Sequence, residues 1–90
     1  GYYSAKLNPE IVELGNNVFI GRGAIISGHV VENDTLLYKK VVVGNNVTIG
    51  AGAVVFPGVV IEDDCIIGTN AVVSKNKRVK KGTKFVNRKH

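Results

Sequence analysis

The 90-residue chain has no tryptophan, no methionine, a single cysteine, two prolines and two histidines. Each scarcity closes off a class of protein. The one cysteine, Cys65, cannot form an internal disulfide, and its lone presence favours a reducing compartment, so a cytoplasmic location is expected. Two histidines, His29 and His90, cannot build a three-histidine zinc site with an open fourth position, so no metal is expected. No apolar run reaches the roughly 18 residues a spanning helix needs, so no membrane partner is expected. Acidic residues stop at Asp64, whereas eight of the twelve Lys and Arg residues lie from Lys75 onward. That basic stretch lacks an aromatic stacking platform, so no nucleic-acid partner is expected. The opening Gly1-Tyr2-Tyr3-Ser4 is neither a starting Met nor a signal peptide, and it reads as part of a longer protein.

What the chain has instead is a rhythm. Val43, Ile49, Val55, Ile61, Ile67, Val73, Val79 and Phe85 are large, apolar and six residues apart, and Leu14, Ile20 and Ile26 form an earlier run. With about a third of the chain large and apolar, eight straight hits arise by chance on the order of once in several thousand. A six-residue period fits neither a helix nor a simple strand. It marks a β-solenoid built from hexapeptide units.

Within each hexad, Gly, Pro, Asn and Asp gather just after the large apolar residue, as in Gly44-Asn45-Asn46, Gly50-Ala51-Gly52 and Glu62-Asp63-Asp64. These residues turn the chain, because Gly and Asn tolerate positive φ and Pro presets a turn. Between turns, segments such as Ala53-Val54-Val55 and Cys65-Ile66-Ile67 read in, out, in. The fifth place holds Val18, Ala24, Val30, Val47, Ala53, Val59, Cys65 and Ala71. All are small or medium, as a narrow interior requires, and Cys65 is expected to act as a small core hydrophobe. Three such strands make one triangular coil of 18 residues.

Two places break the rhythm. Ile26 and Val43 are 17 residues apart, so an insertion leaves the solenoid over about 29–40. Lys77 falls on an inward place, where an unpaired ammonium is too costly to bury. Regular coils are therefore expected to end near Val73, with Thr83 and Phe85 supplying a partial turn over the open end. The expected layout is a lead-in over 1–13, an all-β solenoid of three to four triangular coils over 14–74, and a basic cap or tail over 75–90.

Phe19, Ile25, Val54, Val60, Ile66 and Val72 are apolar at outward places. Residues 18 apart stack, so Val54 lies over Val72 and Val42 over Val60, and such columns form a patch. A domain this small buries only roughly 60–65% of its unfolded surface, and a solenoid leaves its end coils open. Burial of the columns between copies, at roughly 25 cal/mol per Å² of apolar area, is the expected remedy.

His29 stands where the insertion leaves the solenoid, and an imidazole titrating near pH 6.5 can act as general base on a hydroxyl or amine. Glu32 and Asp34 are close enough in sequence to orient it. The basic end suits a polyanion, or else keeps the solenoid end soluble, and the sequence leaves both open.

Ser27-Gly28-His29, a loop, and then Val41 through Val59 with its Val47-Thr48-Ile49-Gly50-Ala51-Gly52 core resemble the maltose and galactoside O-acetyltransferases. Ile67-Gly68-Thr69-Asn70-Ala71-Val72-Val73-Ser74-Lys75 is similar to that family's next coil. The resemblance spans roughly Leu14 to Lys75. It implies a left-handed parallel β-helix, a homotrimer, and acetyl-CoA held between adjacent subunits as acyl donor to a small-molecule acceptor. It implies that His29 is the catalytic base, and that Ala51, Thr69, Ser74 and Lys75 line the arm of the cofactor. Lys77, Arg78, Lys80 and Lys81 would then meet its phosphates.

The pattern also departs from that family. Thr48 stands where the family has an aromatic residue, the loop after His29 is short, and the ending is Lys-rich. The sequence does not include the further N-terminal segment with which that family helps hold the acceptor. Two functions therefore follow from the residues: a CoA-dependent acetyltransferase, and a non-catalytic oligomerisation module of a larger protein. Hexapeptide repeats specify a fold far better than an activity.

Overall fold

Corners set the architecture. In the computed structural model, which describes residues 12–87, positive φ values recur at Asn17, Gly23, Asn46, Gly52, Gly58, Asp64, Asn70, Asn76 and Gly82, all between 58° and 81°. Each is the fourth residue of its hexad, and each is Gly, Asn or Asp, the residues that enter the left-handed region at least cost. The chain therefore bends at a fixed interval, and two or three extended residues fit between bends.

The strands wind as coils. The first coil holds β1 (Val12–Leu14), β2 (Phe19–Ile20) and β3 (Ile25–Ile26). The insertion follows as β4 (His29–Glu32) and β5 (Thr35–Tyr38). The second coil holds β6 (Val41–Val43), β7 (Thr48–Ile49) and β8 (Val54–Val55). The third holds β9 (Val60–Ile61), β10 (Ile66–Ile67) and β11 (Val72–Val73). A fourth, two-sided coil holds β12 (Arg78–Val79) and β13 (Lys84–Phe85). No helix occurs among the described residues.

Parallel pairing between coils makes three faces. The first face stacks β1, β6, β9 and β12, the second β2, β7, β10 and β13, and the third β3, β8 and β11. Main-chain hydrogen bonds climb from coil to coil, for example Val42 N to Val59 O at 3.0 Å, Thr48 N to Cys65 O at 3.0 Å and Val54 N to Ala71 O at 2.8 Å. Val54 registers with Val72 and Val42 with Val60, as the 18-residue stacking requires. Coils this close leave no room for a side chain at some corners. A Cβ on Gly50 would stand 2.7 Å from Thr69 N and 2.8 Å from Gly68 C.

The interior is dry and apolar. Val47, Ile49, Ala53, Val55, Val59, Cys65, Ile67 and Val73 are fully enclosed, and no polar or charged side chain is buried among the described residues. The Cys65 thiol sits in this column 3.0 Å from the Lys80 carbonyl oxygen, a small core hydrophobe. Val18 and Ala24 are only partly buried, because they belong to the first coil and nothing described lies beneath them.

Two sequence expectations are corrected. The regular coils do not stop near Val73: β12 pairs with β9 and β13 with β10, so residues 75–85 continue the stack as a partial fourth coil, in which Phe85 takes part in the partial turn expected of it. Lys77 keeps its backbone on the coil path, accepting from Val60 N at 3.0 Å. Its side chain is exposed, with Nζ 5.8 Å from the centre of the Phe85 ring. The penalty for burying an ammonium does not apply, since no further described coil closes over that slot. Val30, assigned inward from its place in the hexad, lies instead in β4 of the insertion. Of the expected lead-in over 1–13, residues 1–11 lie outside the described residues, as do residues 88–90, whereas Val12 and Glu13 belong to β1 of the first coil.

The third face has no fourth strand among the described residues, and a side chain stands in for one. Val72 N–H donates to Asn87 Oδ1, and Asn87 Nδ2 donates back to the Val72 carbonyl at 3.5 Å. One amide thus satisfies both main-chain groups at the edge of β11, a position that otherwise costs stability or invites pairing.

Replacing Ile61, only 1% exposed at the centre of the stack, by Ala should lower the free energy of unfolding by about 2–5 kcal/mol. Equilibrium urea denaturation measures this. A loss under about 0.5 kcal/mol would mean that the column is not what holds the coils.

Candidate functional site

The insertion is a two-stranded hairpin, and its turn explains its shape. β4 and β5 pair antiparallel, His29 opposite Tyr38 and Glu32 opposite Thr35. The two residues between them, Asn33 and Asp34, have φ of 50° and 61°, the tight turn whose twist suits a hairpin. At its root the hairpin is closed by Lys39 N donating to Gly28 O at 2.9 Å. Coil-to-coil partners before the hairpin are 29 residues apart and after it 18, so the insertion adds eleven residues and leaves the register of the coils intact.

The corner between the third and first faces organises the site. Ser27 N donates to Val55 O at 2.9 Å and Phe56 N to Val73 O at 3.1 Å. Ser27, Phe56 and Ser74 therefore form one vertical column, and His29 leaves the solenoid two residues beyond its foot. Ser27 Oγ donates to the His29 carbonyl at 3.0 Å, which steadies the exit of the strand. The His29 side chain is exposed, and its ring meets Tyr38 at 6.0 Å between centroids and 52° between planes.

The hairpin then climbs this corner. The Lys39 carbonyl accepts from Gly58 N at 3.3 Å in the second coil, and Lys39 Nζ donates to Asn76 Oδ1 at 3.3 Å in the third. Glu32, near the tip, pairs with Lys75. Glu32 is thus engaged elsewhere rather than turned to the imidazole, and Asp34 sits in the turn. The Lys75 hydrogen bond, then its charge, holds the Glu32 carboxyl below the usual carboxylate range.

Ala51, Thr69 and Ser74 line the third face and its two corners. Thr69 and Ser74 border one cleft of about 710 Å³ with Asn70, Ala71, Val72, Val86 and Asn87. Ala51 lies one coil below, where its carbonyl accepts from Asn70 N at 2.9 Å. The cations are not gathered there. Lys75 and Lys77 are on the column corner, whereas Arg78 lies on the first face, registered with Val60. Lys80 and Lys81 turn the next corner, and Lys84 lies on the second face beside Ile66. They ring the fourth coil, so no single groove of one chain meets all of them.

Arg78 is occupied by a carboxylate that sequence reasoning passed over. Its Nε donates to Glu62 Oε2 at 2.6 Å, and Lys81 N donates to Glu62 Oε1 at 3.0 Å. The Arg78 hydrogen bond first, then the Lys81 N–H, holds the Glu62 carboxyl below the usual range. The 16-residue separation was the available signal, since residues two positions short of a full 18-residue turn sit on adjoining coils. Among the described residues, no group of three or more His, Cys, Asp or Glu side chains could hold a metal.

Outward apolar side chains flank the cleft. Ile25, Val54 and Val72 make an unbroken column on the third face, with Ile25 55% and Val72 42% exposed. The second face interrupts its column, Phe19 and Ile66 being separated by Thr48. The third face is the greasiest side of the solenoid.

Residues 40–75 match the family described as bacterial transferase hexapeptide (six repeats). No curated protein matches the sequence. Among solved structures, the chain is similar to a maltose O-acetyltransferase from Clostridium difficile 630, with a TM-score of 0.59 and 24% identity over 73% of this chain and 50% of that one. The chain thus spans half the length of that protein. The likeness shows the fold, a left-handed parallel β-helix.

Because the Glu62 carboxyl is depressed, its contribution to stability is fully present above the ordinary glutamate range. It is lost as pH falls through the lowered value. Replacing Arg78 by Met should raise the Glu62 midpoint toward the ordinary range in a side-chain carboxyl NMR titration. An unmoved midpoint would mean that the pair does not form in solution.

Proposed function

We propose that this chain, which carries the hexapeptide repeat of the bacterial transferases, is the β-helical part of an acetyltransferase. It would move an acetyl group from acetyl-CoA to a hydroxyl or amine of a small acceptor. One observation carries the reading. The single histidine of the described residues leaves the solenoid at the foot of the Ser27–Phe56–Ser74 column, and its hairpin is fastened beside Ser74 at Lys75 and Asn76.

In this reading the His29 imidazole takes the proton of the acceptor O–H or N–H as that atom attacks the thioester carbonyl carbon. The carbon–sulfur bond breaks, and the departing CoA thiolate receives the proton from the imidazolium. Ala51, Thr69 and Ser74 supply a wall of short side chains along which a thin acyl-carrying arm can approach the backbone. The Ile25–Val54–Val72 column supports a homotrimer, because three copies would cover it and turn each cleft into a groove between subunits. Lys77, at the column corner, and Arg78, on the first face, would then serve the phosphates of a groove shared with a different copy.

The exposed apolar column also favours a second reading, a non-catalytic oligomerisation module. Calorimetric titration with CoA separates the two. Binding below millimolar concentration is expected, and none at millimolar CoA would leave only the module. Replacing His29 by Asn should slow acceptor-dependent thiol release from acetyl-CoA by about 10²- to 10⁴-fold while CoA binding persists. An unchanged rate would remove His29 from the chemistry.

A further inference from the structure

The hairpin that carries His29 is held at two separated points. Its root is fixed by backbone bonds, Lys39 N to Gly28 O at 2.9 Å and Gly58 N to Lys39 O at 3.3 Å. A root alone is a hinge. Two four-residue strands are marginal in water by themselves, and one face of this pair leaves Val31, Leu36 and Tyr38 exposed. What stops it swinging is the second point, at the third coil, where Glu32 meets Lys75 and Lys39 Nζ reaches Asn76.

Lengths agree with this arrangement. Four extended residues span roughly 13 Å, and two coil steps of about 4.8 Å cover roughly 10 Å. A hairpin rooted beside the first coil can therefore place its tip at the third. Gly58 leaves room for the Asn76 amide that receives the lysine, since an added Cβ would lie 2.2 Å from Asn76 Oδ1. Asn76 itself is at φ 65°, so one residue both turns the corner and receives the lysine.

We propose that Lys75 is a positioning residue, which fixes the orientation of His29 by latching the tip of its hairpin through Glu32, with Lys39–Asn76 as the second half of the latch. This rests on the acetyltransferase reading for its catalytic consequence, but the latch itself does not. The assignment replaces the one the sequence suggested for Lys75, a contact to CoA. The Glu32 carboxylate already neutralises the Lys75 ammonium within the chain, which weakens its pull on a second anion.

The experiment compares Lys75→Met, Glu32→Gln and the charge swap Glu32→Lys with Lys75→Glu, each in the whole chain. Asn76→Gly is added because glycine keeps the left-handed corner while deleting the amide. The first readout is hydrogen exchange of hairpin amides, which needs no activity. Exposed ion pairs of this kind change an opening equilibrium by about two- to fivefold. Exchange should accelerate by that factor in each single variant, more in Lys75→Met combined with Asn76→Gly, and return toward the parent value in the swap.

The second readout is steady-state transfer, where kcat should fall by a similar factor with the KM for acetyl-CoA unchanged. If Lys75→Met raises that KM while Glu32→Gln changes neither exchange nor rate, Lys75 is a ligand contact and the latch is refuted. Equal exchange in all variants also refutes it. Faster exchange in a chain that transfers no acetyl group leaves the latch standing and sinks the acetyltransferase reading instead.

Discussion

Everything in this molecule depends on coils that stack in register, each strand hydrogen-bonded through its main chain to the strand one coil on. That ladder exists only if every corner closes in the same few residues, which is why the left-handed residue falls at one place in each hexad from Asn17 to Gly82. A corner one residue longer would turn the Ile49–Ile67 column from the core to the solvent, because strand side chains alternate. Stacking and turning are thus one constraint. The apolar column rewards it, and the Gly, Asn and Asp residues make it sterically possible.

The same constraint decides where function can reside. A triangular coil about two strand residues wide encloses only side chains, with no room for a ligand, so chemistry must sit on corners and outer faces. The corner carrying Ser27, Phe56 and Ser74 is where the chain departs from the rule, by inserting a hairpin without disturbing the stack. A rigid scaffold with one added element is a common way to hold reactive groups. Here the scaffold also supplies the anchors, Gly58, Lys75 and Asn76, against which the added element is set.

The solenoid was legible in the sequence because its contacts repeat at a fixed separation. Once Ile49, Ile61 and Ile67 are seen to face one interior, their neighbours follow by arithmetic, and Cys65 falls into place as a core residue. The end of the stack is less legible, because the inward slot at Lys77 is open at the last described coil and does not bury its ammonium. Val79 and Phe85 kept the rhythm and carried the better signal. The Asn33-Asp34 pair is likewise a hairpin signal, since both residues tolerate the positive φ of a tight turn. His29 was singled out by its place, but the partners of Glu32 and Arg78 were not visible. A pair such as Glu32 and Lys75, 43 residues apart, is made by the path of an insertion, which no period encodes.

The amide of Asn87 has a consequence for assembly along the solenoid axis. An open β edge is a template, and a coil that can accept another coil can accept one from another molecule, growing a filament without closure. By giving the Val72 peptide both of its partners from a side chain, the chain terminates that template on its most apolar side. Growth there would have to evict a partner already in place, which raises the cost of adding a further coil end to end on that side.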